Sequence, residues 1–430
     1  MKLSRTIGLF HGNIFLYSAI IGAGIFVSPK GVLKYSSLNI PISLSIWALC
    51  GILNMISGLC STEIGTTFPR SAAFYFLLKR SLGATVAFLY IWIKLFAYFI
   101  GLAAPSLLVA SYLIQPFYPG CSPPELPKKC LALAILWSLG LLNIQGLKTV
   151  SWFQTISALM KMTILCFISL TGIVLLVSGK KENVSRFQNN LDAEFPDASQ
   201  IAEAFLQGLY AYKGSTLLIN MADTVAVSWM DRVFPSMQWI ISLGISASII
   251  DTMSCAILSG SRTIYAASQE GQLPRIYSML NKHHSPALAV MQLIFASSIA
   301  VMHSNLINLI KYMGLASWFL NGLNMVALLT LRYRNPDLPR PYKVWLPMIF
   351  ASLASSVFLI FMPIIRSPKM EYIYHAVFLF LGVLCYCLHV HLNQLSVFSE
   401  KITCYLQLLF NASPSEDDEI CTCREKKYYK

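Results

Sequence analysis

Ile20-Ile21-Gly22-Ala23-Gly24-Ile25-Phe26-Val27-Ser28-Pro29 lies inside the first long apolar segment of the chain, and its reading decides the fold. Two glycines flanking a small residue weaken a helix. In a bilayer an interrupted helix leaves backbone polar groups unpaired. That is tolerated only where the break is buried in protein or lines a cavity. Half-helix ends facing a cavity offer amides on one side and carbonyls on the other, a ready site for a small charged solute. The same glycines also suit close packing of helices through small residues. A second interruption, at Gly208-Leu209-Tyr210-Ala211-Tyr212-Lys213-Gly214-Ser215-Thr216, favours the site. A glycine pair around a lysine, followed by hydroxyl residues, is a poor helix interior.

Working outward, only 12% of the 430 residues are charged and 56% are hydrophobic, about half the charged share of a soluble domain. The apolar residues come in runs of about 20, the length that crosses a bilayer. The chain is therefore expected to be an all-α polytopic membrane protein. Few charges precede the first segment and no small-residue cleavage site follows it, so it reads as a retained span and not a signal peptide. The net charge of +13 sits in short loops, where it sets orientation. No long basic face carries interleaved aromatics, which excludes nucleic-acid binding. The 11 cysteines show no paired CxxC spacing for zinc, and most fall within apolar runs as packing residues. No nucleophile–base pair, phosphate loop or metal cluster is legible, so neither an enzyme nor a cofactor or metal is expected. Paired helix breaks suit occluded binding of a solute better than a channel.

Residues 1–6 read as a cytoplasmic N-terminus, 7–395 as the membrane domain and 396–430 as a cytoplasmic tail. The domain divides into five spans over 7–178, a broken sixth over 200–222 and the remaining spans over 234–392. Phe68 to Gly83 reads as a cytoplasmic loop. The proline-rich stretch from Gln115 to Glu125 and the polar stretch from Gly179 to Ser199 read as external loops. The latter holds Asn183-Val184-Ser185, a glycosylation sequon that makes Asn183 the acceptor.

This division gives about eleven spans, an odd number. Simple alternation from an internal N-terminus places Arg262, Arg275, Lys282, Arg332, Arg334, Arg340 and Lys343 outside. The positive-inside bias wants them inside. An extra crossing at the abrupt passage from Met221 to Asp223 would reconcile the two.

Five motifs together resemble the light subunits of heteromeric amino-acid transporters, in the amino acid–polyamine–organocation superfamily. They are the quoted stretch, Ser61-Thr-Glu63-Ile-Gly-Thr-Thr-Phe-Pro-Arg70, Gly208-Leu-Tyr-Ala-Tyr212, Ser261-Arg262 with Glu270-Gly-Gln-Leu-Pro274, and Pro339-Arg-Pro-Tyr-Lys-Val344. The tail from Glu400 to Phe410 is similar to the branch of that family that carries aspartate, glutamate and cystine. The resemblance covers about residues 5 to 395. It implies an inverted-repeat fold with broken first and sixth helices, and sodium-independent amino-acid exchange by alternating access. It also implies a plasma-membrane, apical location and a disulfide to a single-pass, rBAT-like glycoprotein heavy subunit. Cys121 stands at the family's linking position; a bridge from Cys121 to Cys130 is the alternative. Against the family pattern the seventh span is missing. The second reading is therefore a shortened, non-transporting variant, misfolded or competing for the heavy subunit.

If the chain transports, helix-end polarity sets the substrate carboxylate at the amides of Ala23 and Gly24. It sets the ammonium at carbonyls near Ile20, Tyr210 and Ala211. Tyr210 stands where the family has an aromatic gate. Lys213, beside Gly214, is a membrane lysine and so a functional candidate, expected to face the side-chain carboxylate of an acidic substrate or one end of cystine. Lys161 occupies the position where the family places a cation in lieu of a transported sodium ion; Asp251 either partners it, since the corresponding helices meet beside the first span in this fold, or lines a polar cavity. Glu63 and Lys94 read as structural residues near span ends.

Overall fold

The computed structural model describes residues 9–22, 24–68, 73–114, 117–118, 124–178, 196–197, 200–201, 204–205, 208–209, 212, 238–303, 306–366, 380–384 and 386–387. The chain is built of helices: α1 Leu9–Ile20, α2 Gly24–Tyr35, α3 Ile40–Thr67, α4 Ala73–Ser81, α5 Ala84–Ile114, α6 Glu125–Ile144, α7 Leu147–Val177, α8 Gln238–Gln269, α9 Ala287–His303, α10 Leu306–Arg334 and α11 Leu346–Arg366. Among the described residues, α3, α5, α6 and long stretches of α7 and α8 are extended and apolar enough to cross a bilayer.

Local chemistry sets the joints. The first span is two half-helices, α1 and α2, parted where Gly22 and Gly24 fall. Asn39 caps α3 by accepting from the Ile42 amide at 3.2 Å, with Pro41 in the first turn, where its missing N–H costs nothing. Gly83 and Gly146, at φ of +102° and +103°, turn α4 into α5 and α6 into α7, a conformation that glycine adopts freely. The stretch Phe68 to Gly83, expected as a loop, instead contains α4. Tyr75, Leu77 and Leu78 of that helix are fully buried, and packing of this face outweighs its two basic residues.

The core centres on α8, which packs most closely against α5, α7, α9 and α6 and also meets α1. Small residues permit these approaches. A Cβ on Gly244 would sit 2.1 Å from Ile164 of α7, and one on Gly260 would meet Leu293 and Tyr98 at 3.0 and 3.2 Å.

Polar ties bring several helix ends together on one face. Lys79 of α4 meets Glu270, just beyond α8, at 3.0 Å. Asn281 donates to the Ile144 carbonyl and Ser285 to that of Asn143, both at 3.0 Å. Arg334 of α10 donates to the Ser81 carbonyl at 3.1 Å. The turns after α3, α4, α6, α8 and α10 therefore share one face. Arg80, Lys148, Lys282, Lys343 and the arginines at 275, 332, 334 and 340 gather there. Positive-inside bias, not simple alternation, describes the second half. On the opposite face Lys129 donates to the Met302 carbonyl at 3.0 Å, and Ser37 reaches Gln200 at 3.5 Å. Because α8 ends on the basic face, Gln238 starts on the opposite one, where Gln200 also lies. The Met221–Asp223 passage, where the sequence suggested a lost crossing, lies outside the described residues.

Candidate functional site

The break is assembled from three helices. The last turn of α1 closes with the Ile21 amide donating to the Tyr17 carbonyl at 2.8 Å. The helix then stops, and the Ile21 carbonyl is released from the intrahelical ladder. Lys161, from the middle of α7, donates to it at 2.5 Å. The same ammonium donates to Asp251 Oδ2 of α8 at 2.9 Å. The two charged side chains are 2% and 0% exposed. A cation at the carbonyl end of a half-helix is favoured by the helix dipole. A buried ion pair holds only when its remaining bonds are supplied, and the Ile21 carbonyl supplies one.

The surroundings keep polar capacity in reserve. Among the described residues Asp251 Oδ1 has no hydrogen-bond partner, and neither do the hydroxyls of Ser246 and Ser248 on α8, the hydroxyl of Ser28 on α2, or either amide atom of Gln154 on α7. Gln154 precedes Lys161 by two helical turns and so shares its face. Buried polar groups are nearly always paired, so unpaired ones on the helices that meet at the break are candidates for contact with a polar guest. By contrast, a cavity of about 380 Å³ between α3, α11 and residues 201–209 is bounded by Leu53, Phe205, Leu209, Ala351 and Phe358. That wall is almost wholly apolar and offers a zwitterion no partners.

Of the residues singled out in the sequence, Ile20 ends α1 and Gly24 begins α2, on either side of the break. Lys161 and Asp251 meet there, as expected of the two helices. Ala23, Tyr210, Ala211, Lys213, Gly214, Cys121 and Asn183 lie outside the described residues. Tyr212, two residues after Tyr210, packs on α3, donating to the Trp47 carbonyl at 3.2 Å, and Gly208 approaches Cys50. Cys130 is an exposed free thiol. Glu63 is fully buried: it accepts from Arg332 Nε at 3.0 Å, from Arg332 Nη2 and from the Val344 amide at 2.9 Å. It ties α3 to α10 and to the turn before α11, a structural role. Sequence reading missed Gln154, Ser28 and Ser248. The signal for Gln154 was its seven-residue spacing from Lys161 within an apolar span.

Residues 7–236 and 221–388 match the amino acid permease family. The chain is 54% identical over 463 aligned positions to solute carrier family 7 member 12 of Mus musculus, covering 97% of this chain and 99% of that one. It is 44% identical over 455 positions to solute carrier family 7 member 13 of Homo sapiens, covering 96% and 97%. It is 30% identical over 467 positions to the human b(0,+)-type amino acid transporter 1, covering 97% and 95%. An alignment of 463 positions against a chain of 430 leaves at least 33 positions of the murine relative without a counterpart here.

Proposed function

Because the chain belongs to the amino acid permease family, a family of membrane transporters, we propose that it is a sodium-independent exchanger light subunit for aspartate, glutamate or cystine. The observation that carries this reading is the placement of Lys161 between the Ile21 carbonyl and Asp251 at the break of the first span. A carbonyl at a helix end and a carboxylate are oxygen ligands of the kind that hold a monovalent cation in transporters with discontinuous helices. Here the ammonium fills their place, so the cycle needs no sodium ion.

With the Ile21 carbonyl engaged by Lys161, the neighbouring carbonyls at Ile20, Tyr210 and Ala211 receive the substrate ammonium. The amides of Ala23 and Gly24 receive its carboxylate. Lys213, beside Gly214, takes the second carboxylate and sets the preference for acidic substrates. Alternating access follows from the rocking of one bundle of helices against the other around this point. Cys121 links the chain to an rBAT-like heavy subunit at the plasma membrane, apical in an epithelium, and Asn183 carries glycan.

The test is uptake of radiolabelled aspartate, glutamate and cystine in sodium-free medium, in cells expressing the chain with and without the heavy subunit. The proposal expects saturable uptake that depends on the heavy subunit and rises when the cells are preloaded with unlabelled substrate. Uptake that is absent at normal surface levels, or that requires sodium, overturns it.

A further inference from the structure

Lys94 does a different job from that of a span-end residue. It is the eleventh residue of α5, about 15 Å along the helix from Ala84 at the basic face. Its ammonium does not reach back to that face. It lies 5.3 Å from the centre of the Tyr98 ring, on the next turn inward. The Tyr98 hydroxyl in turn lies 3.3 Å from Ser259 and 3.4 Å from Thr263, both on α8. One turn the other way lies buried Tyr90, and α10, which packs on α5, carries Asn324. Asn324 is 7% exposed, and its Oδ1 has no partner among the described residues. The cluster thus ties α5 to α8, with α10 packed alongside. Among the described residues no carboxylate pairs with Lys94.

Its level in the bilayer matters. Ser259 follows Asp251 by eight residues on α8, about 12 Å nearer the basic face. The cluster therefore lies between the helix break and that face. Lys161 is neutralised by Asp251, whereas Lys94 is balanced by no described acid. An intramembrane charge without a partner is expensive and marks a path for a charged solute.

We propose that Lys94 forms a second subsite on the basic-face side of the break, where it pairs with the extra carboxylate of an acidic amino acid entering or leaving by that face. The Tyr98 ring holds the ammonium by a cation–π contact while the site is empty. The hydroxyls of Tyr90 and Ser259 supply the remaining donors to the visiting carboxylate. A neutral zwitterion carries no net charge and gains little there. This rests on the transport reading above, and it makes the permeation path itself selective on one side.

The test uses the full chain with its heavy subunit in proteoliposomes, with aspartate and a neutral amino acid offered separately from each face. For K94M and K94Q the expected result is a rise of at least tenfold in the KM for aspartate offered at the basic face. The KM at the opposite face and that for the neutral amino acid should stay within twofold, and K94R should remain close to the parent. Equal losses for both substrates or at both faces overturn the subsite, as does unchanged aspartate KM in K94Q. Parent vesicles that exchange neutral but not acidic amino acids overturn the substrate class together with the subsite. A parent that exchanges aspartate while K94Q behaves identically overturns the subsite alone.

Discussion

Replacing Lys161 by alanine removes one ammonium and two bonds, at 2.5 Å to the Ile21 carbonyl and 2.9 Å to Asp251. Asp251, fully buried and already lacking a partner for Oδ1, would be left as an uncompensated charge. Breaking a buried pair from one side costs about 3–5 kcal/mol, most of it the stranded charge and not the lost attraction. K161A is therefore expected to be strongly destabilised, and D251A likewise through the stranded ammonium. The double variant K161A/D251A strands neither charge and should recover a large part of the loss, with a coupling of about 2–3 kcal/mol, at the top of the range for contacting residues. Thermal unfolding of the purified proteins in detergent reads this cycle. A second arm adds sodium chloride against choline chloride. In K161A the freed carbonyl and carboxylate oxygens form a site for a small monovalent cation, and a ligand that binds only the folded state raises stability. Sodium should raise the unfolding temperature of K161A and leave the parent unchanged. Strictly additive single losses, or a double variant less stable than either single, would refute the reasoning.

Three further outcomes follow from the geometry. E63Q removes the charge facing Arg332 and should cost about 3 kcal/mol, and a non-additive E63Q/R332Q pair in thermal unfolding checks it. G244V forces a side chain onto Ile164, 2.1 Å from where its first carbon would stand. The strain of overpacking is about 1–3 kcal/mol, and I164A should relieve it in the same assay. Cys130, exposed near the start of α6 on the face opposite the basic turns, should react with a membrane-impermeant maleimide from outside intact cells. A K282C variant should react only after permeabilisation; the reverse pattern contradicts the orientation.

How far the sequence could be read depended on the range of the interactions. Apolar run length located the spans, because bilayer thickness imposes it locally. The glycines at 22 and 24 located the break because weak helix propensity also acts locally. The meeting of Lys161 with Asp251, 90 residues apart, was accessible only through the resemblance, since no local rule couples two helices at that distance. The helix Ala73–Ser81 was missed because two basic residues in a short stretch look like a loop unless the buried Tyr75, Leu77 and Leu78 are known to share a covered face. Lys94 reads as a structural residue near a span end, because counting along the sequence does not show that its ammonium lies against the Tyr98 ring. Alternation and charge bias disagreed over the second half, and the side-chain ties across the basic face decide for charge bias.

The most direct test of the central claim, that the interrupted first span is where the amino acid sits, is a cryo-electron microscopy map of the chain with its heavy subunit in saturating aspartate. The account predicts density for one small molecule in the gap between Ile21 and Gly24, its carboxylate against the first amides of α2 and Lys161 still bound to Asp251. Density at another place, or a continuous helix through residues 20–26, would contradict it.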